Sequence, residues 1–221
     1  MISIALRFAS IAKIAAAIAV AFAGASAVPA QDYAPQKQLP WAGVWGIWKG
    51  EVYSRETYPW YLGTMIRHKW PEIEPDVDRF DFSAMDEKIA QSIANGLLIS
   101  IIIDISPDPP EWLNTKLWVD FFQTTAKLGW APDAKYPWYF DPAFEDAFRK
   151  MIVATADHID SLAPEIREKI VAIGAQVGKS GDPQPYDGKP YDPKYEIGIR
   201  SPEWLQYNRR MFQFYYDTYK D

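Results

Sequence analysis

From residue 97 to residue 105 the chain is almost wholly apolar, with isoleucine at five of nine positions. A strand with one wet face alternates polar and apolar side chains, whereas an unbroken branched run fits a strand covered on both faces. Strands of that kind belong to parallel sheets, in which helices cross over one strand on the way to the next. The run therefore sets the fold class as α/β.

The neighbouring sequence repeats that alternation. Residues 44–48 form a short candidate strand and residues 63–70 a better one. Ser83 reads as a helix N-cap with Asp86 three residues on; Met85, Ile89 and Ile93 share one face, and Gly96 ends the helix. Ser106, Pro107, Asp108, Pro109 and Pro110 stop the isoleucine-rich strand, and residues 111–140 read as a long aromatic loop. Asp141 and Pro142 open the next helix, where Phe144, Phe148, Ile152, Thr155, Ile159 and Leu162 recur at helical spacing. A second buried strand follows at residues 170–177. Ser201 and Pro202 then repeat the opening signal for a helix carrying Leu205, Asn208, Phe212, Tyr215 and Tyr219. No internal repeat or linker divides the chain.

Residues 1–27 read as a secretory signal peptide. Arg7 and Lys13 precede an apolar stretch at residues 14–22, and Ala25, Ser26 and Ala27 supply small residues for cleavage after Ala27, or alternatively after Ala30. The expected location is secreted or periplasmic, with no membrane partner once the signal is removed. Cleavage leaves 21 Lys and Arg against 29 Asp and Glu, a formal charge of −8, so nucleic acid and anionic lipid are poor partners. There is no cysteine, so an oxidising compartment adds no disulfide. The 10 Trp, 13 Tyr and 11 Phe exceed what a core of this size needs, and flat rings in loops suit sugar faces.

In parallel α/β folds chemistry collects where strands end. Three segments qualify: residues 67–74, 104–112 and 178–186. The third, Gly178, Lys179, Ser180, Gly181 and Asp182, puts an acid in a glycine-rich turn, the alternative being a plain polar turn. A phosphate-binding loop is excluded, because three residues rather than four separate Gly174 from Gly178, and Pro183 and Pro185 block the required helix. Trp45, Trp48, Trp70 and Trp112 fall near strand ends, where stacking on sugar rings competes with core packing. Asp104 either accepts from a sugar hydroxyl or pairs with Arg67. His68 and His158 lie far apart with no metal-ligand spacing, so no metal and no cofactor is expected.

Arg67 to Glu74, followed by Arg79, Phe80, Asp81, Phe82, Ser83 and Asp86, resembles a segment of β-galactosidase-type glycoside hydrolases. Pro110, Glu111, Trp112 and Leu113 are similar to the same enzymes, and Gly178 to Asp182 with Tyr186 resembles the acid-bearing turn of β-amylases. The resemblance implies a (β/α)8 TIM barrel of the retaining clan, hydrolysing O-glycosyl bonds, with a general acid/base after the fourth strand and a nucleophile after the seventh. Asp182 matches the first role, although those enzymes place glutamate there, often after asparagine. Arg67 resembles an arginine that keeps the nucleophile ionised, the alternative being a strand-end salt bridge, and Glu74 an anchor of the barrel rim; by their places near strand ends and in the acid-bearing turn, Trp70, Asp104, Trp112, Tyr186, Trp45 and Trp48 join Arg67 as the expected substrate-binding residues.

Hydrolysis of this kind needs two carboxyl groups. Three or four strands are countable against eight in a full barrel. The expectation is thus an incomplete barrel over residues 28–221, covering the first three or four βα units, without its nucleophile and inactive alone. A non-catalytic carbohydrate-binding protein of the cell envelope is the alternative, and a structural envelope protein a third. The sequence leaves the sugar, the linkage and the oligomeric state open.

Overall fold

The computed structural model describes residues 42–47, 53–106, 109–113, 118–122, 135–179, 184–186, 189–190 and 192–220. The signal segment, Trp48 and Asp182 lie outside the described residues.

Four strands, β1 (Val44–Ile47), β2 (Tyr61–Lys69), β3 (Leu98–Asp104) and β6 (Ile170–Gly174), form one sheet in the order β1-β2-β3-β6, every pair parallel. Each parallel step needs a crossover. Helices α1 (Trp70–Ile73) and α2 (Ser83–Ala94) lie between β2 and β3, while α3 (Pro142–Ser161) and α4 (Pro164–Arg167) lie between β3 and β6. A final helix, α5 (Pro202–Tyr219), packs on α3. The α/β reading with parallel strands holds.

Alternation along β2 and β3 separates two faces. Ile66, Ile99, Ile101 and Ile103 are buried in a core shared with Met85 and Ile89 of α2, Phe148 and Ile152 of α3, and Met211 and Tyr215 of α5. The opposite face carries Met65, Arg67, Leu98, Ser100, Ile102 and Asp104, all half-buried. The isoleucine-rich strand is therefore tightly covered on its helix side only, a correction to the reading of equal burial on both faces. Its apolar character persists across the strand because the half-buried face still packs against its own neighbours. An added Cβ on Gly63 would lie 2.5 Å from the Trp45 ring, and one on Gly174 2.4 Å from Ile102 Cγ1.

Helix ends follow local chemistry with one adjustment. Asp141 caps α3 by accepting from the Ala143 amide at 2.8 Å, and Ser201 caps α5 by accepting from the Trp204 amide at 3.3 Å. Ser83 instead is the first helical residue of α2. Asp81, two residues upstream, accepts from both its amide (3.0 Å) and its hydroxyl (2.6 Å). Gly96 leaves α2 with φ of 72°, a conformation that side chains resist. The buried face of α5 also differs from expectation: Trp204, Tyr207, Asn208, Met211 and Tyr215 face the core, while Leu205 and Phe212 are exposed. The helix is aromatic on two adjacent stripes, so periodicity alone does not select between them.

The region read as a long loop holds two short strands, β4 (Trp118–Phe122) and β5 (Lys135–Pro137). With β7 (Lys189–Pro190) they form an antiparallel sheet ordered β5-β4-β7. Strands of five, three and two residues are too short to carry a period, and β4 pairs with a strand far away in sequence. The small sheet thus joins the segment that leaves β3 to the segment that leaves β6. Among the described residues no helix is long and apolar enough to cross a membrane.

Candidate functional site at the C-terminal strand ends

Arg67 and Asp104 sit on the face away from the helices, at the ends of adjacent parallel strands. Register pairs Arg67 with Ile102 and Lys69 with Asp104, so the two side chains are diagonal neighbours. Arg67 Nε donates to Asp104 Oδ2 at 2.7 Å and Nη2 to Oδ1 at 2.8 Å, a bidentate fork. The side chains keep 34% and 18% of their surface exposed, and Nη1 makes no hydrogen bond among the described residues. The pair therefore retains donors and lone pairs that a bound molecule can reach. Of the two readings left open for Asp104, pairing with Arg67 is what the geometry contains.

Glu74 and Glu72, the acids at the end of β2, both contact the turn that follows it. Glu74 is 1% exposed; its Oε2 accepts from the Trp70 indole at 2.7 Å, its Oε1 from the Asp78 amide at 3.0 Å, and its backbone carbonyl from the Trp112 indole at 2.9 Å. Burial pushes its carboxyl above the usual carboxylate range. Glu72 accepts from the Lys69 amide at 3.2 Å and lies 3.2 Å from His68 Nδ1. The two glutamates thus serve the turn after β2 separately and do not form a catalytic pair.

The tryptophans divide by burial. Trp70 has no exposed surface and packs against Phe144, Phe148 and Trp112 with ring centroids 5.8–6.2 Å apart, so the expected stacking on a sugar gives way to a core role. Trp70 opens α1 directly after β2 and is buried, like Ile66 and His68, in the helix-covered core. Trp112 is half-buried, held by Glu74 and edge-on to Trp70, and stays at the rim. Trp45 pairs with Gly63 on the open face, about 13 Å along β2 from Arg67 by strand rise. It lies against the sheet rather than at the strand end.

Where β6 ends, the chain is fastened from several sides. The Ser106 hydroxyl donates to the Gly178 carbonyl at 3.1 Å; the Tyr139 hydroxyl lies 3.1 Å from Ser106 Oγ and donates to the Pro185 carbonyl at 2.6 Å. The Lys179 amide donates to the Gln184 carbonyl at 2.7 Å, so the described residues on either side of Asp182 are bonded to each other. Tyr186 is buried, its hydroxyl donating to the Tyr195 carbonyl at 3.0 Å and accepting from the Ile197 amide, and burial raises its pKa. It braces this loop from below; 8% of its surface is exposed.

The sequence gives His68 no metal-ligand spacing and no other site role. It is 2% exposed on the helix-covered face, its Nε2 buried without a hydrogen-bond partner among the described residues, and burial together with nearby Lys88 lowers its pKa. The signal was its place two residues after Ile66 in an alternating strand. Among the described residues no group of three or more His, Asp or Glu side chains is placed to hold a metal ion. No protein-family model matches this chain, and neither does any of the curated proteins compared with it.

Proposed function

We propose that the chain is an exported carbohydrate-active protein of the glycoside hydrolase type, built from βα units on the plan of a (β/α)8 barrel. Its saccharide lies across the ends of β2, β3 and β6. The observation that carries this reading is the Arg67–Asp104 fork: an ion pair at parallel strand ends, on the helix-free face, with Nη1 and carboxylate lone pairs still available. A sugar rim presents alternating donors and acceptors, which such a fork matches from one side while Trp112 offers apolar surface at the rim. The motif resemblance around residues 67–86 and 178–186 points to the same end of the sheet.

In this reading Asp182 is the general acid/base, delivering a proton to the glycosidic oxygen as the bond breaks and taking one back from water. Arg67 and Asp104 orient the sugar, and Arg67 adds positive charge that favours an ionised carboxylate beside it. A second reading, sugar binding without hydrolysis, draws on the fact that Asp104 and Glu74 have both carboxylate oxygens engaged by protein donors. Neither is therefore poised as a nucleophile.

The test is hydrolysis of a panel of aryl glycosides and neutral oligosaccharides by the purified chain and its Asp182→Asn variant, alongside calorimetric binding. Turnover that falls by about a hundredfold or more in the variant, with affinity kept, supports the hydrolase reading and overturns the expectation that the chain is inactive alone. Binding with no turnover by either protein favours the second, and no binding at all removes both.

A further inference from the structure

At the opposite end of β2 four aromatic side chains cluster on the surface. Tyr53, Tyr58 and Trp60 are 48%, 37% and 61% exposed, and Tyr61, the first residue of β2, forms their buried base. The rings brace one another nearly edge to face: Tyr53 lies 5.4 Å from Tyr58 and 5.5 Å from Tyr61, and Trp60 lies 5.6 Å from Tyr58 and 6.3 Å from Tyr61. The backbone beneath is held as well. The Tyr58 amide donates to Ser54, the Tyr61 amide to Tyr58, and the Arg55 amide to Asn95 at the end of α2. Six residues of strand separate Tyr61 from Arg67, about 20 Å, so the cluster is a distinct surface and not an extension of the strand-end site.

We infer that Tyr53, Tyr58 and Trp60 form a second, non-catalytic binding platform for a neutral polysaccharide chain. Water is a poor neighbour for this much ring surface, and exposed aromatic patches mark binding sites. The ligand class follows from the polar groups beside the rings. The same turn that carries the rings holds the hydroxyls of Ser54 and Thr57, 3.3 Å apart, beside the phenol hydroxyls of Tyr53 and Tyr58, with one cation, Arg55, and one anion, Glu56. That mixture suits a pyranose, apolar on its faces and hydroxylated at its rim, better than a charged polymer. Because the rings already support one another, little side-chain freedom is lost on binding. The choice of a sugar rests on the carbohydrate-active reading above; the platform itself rests on exposure and ring geometry.

Affinity electrophoresis of the full chain through gels containing galactomannan or hydroxyethyl cellulose tests the proposal. Trp60→Ala and Tyr58→Ala are expected to weaken retardation about fivefold each, while Arg67→Ala retains the platform's share. Both substitutions are at exposed positions, and unchanged circular dichroism and light scattering establish that fold and oligomeric state are kept. Retardation unaltered by either platform variant overturns the proposal, even where Arg67→Ala abolishes it and so upholds the strand-end site. Absence of retardation by both polysaccharides also overturns it, and hydrolysis or binding of short aryl glycosides then reports on the strand-end reading separately. If Trp60→Ala changes the oligomeric state in the absence of sugar, the cluster is a protein interface and the proposal fails.

Discussion

Glu74 keeps its carboxylate under the turn after β2, where two donors satisfy its oxygens but burial still opposes ionisation. Glu74→Gln retains the shape yet turns an amide NH2 toward a donor, so it is expected to cost about 1–3 kcal/mol in denaturant unfolding at pH 7. A carboxyl whose folded pKa is raised binds its proton more tightly in the folded state. Its contribution is therefore fullest below the unfolded value of 4.5 and is lost as pH rises through the folded value. His68 acts in the opposite sense. Its folded pKa is lowered, so the unfolded chain takes up the proton first and stability falls as pH drops below 6.5. His68→Leu removes that term and the unpaired Nε2, and thermal melts from pH 7 to pH 5 are expected to show a flatter acid limb than the parent. An unchanged acid limb would show that another group controls it.

Caps and strand registers decide the elements. Asp141 and Ser201 each satisfy an otherwise unpaired amide at a helix start. Asp141→Ala and Ser201→Ala are each expected to cost about 1 kcal/mol in equilibrium unfolding, with the double variant near the sum, because the caps share no partner. The β1–β2 contact depends on Gly63, where the Trp45 ring and the Leu98 carbonyl leave no room for a methyl group. Gly63→Ala is expected to destabilise by about 1–3 kcal/mol and to shift the tryptophan emission as Trp45 is displaced. Retained stability and emission would place the ring elsewhere.

At the scale of the molecule, β1 and β6 are the outer strands of the parallel sheet among the described residues. β6 exposes Val171, and a groove of about 950 Å3 runs between this edge and Phe212, Tyr216 and Tyr219 of α5. An uncovered apolar edge favours pairing between chains. Val171→Lys is expected to lower concentration-dependent association in light scattering without lowering the melting temperature by more than a few degrees. Association that persists unchanged would locate the sticky surface away from β6.

The four strands of the parallel sheet, the three long helices and the α/β class were written in the sequence, because caps and hydrophobic period act between residues a few positions apart, whereas the short strands β4, β5 and β7 and the one-turn helices α1 and α4 were not. Which stripe of an aromatic-rich helix turns inward was not, since Trp204 and Leu205 compete for one core and only the packed neighbours choose. The fates of Trp70 and Trp112, the Arg67–Asp104 fork and the pairing of β4 with β7 likewise join residues tens of positions apart. Tertiary structure decided these, because burial and pairing depend on what another part of the chain brings to the same place.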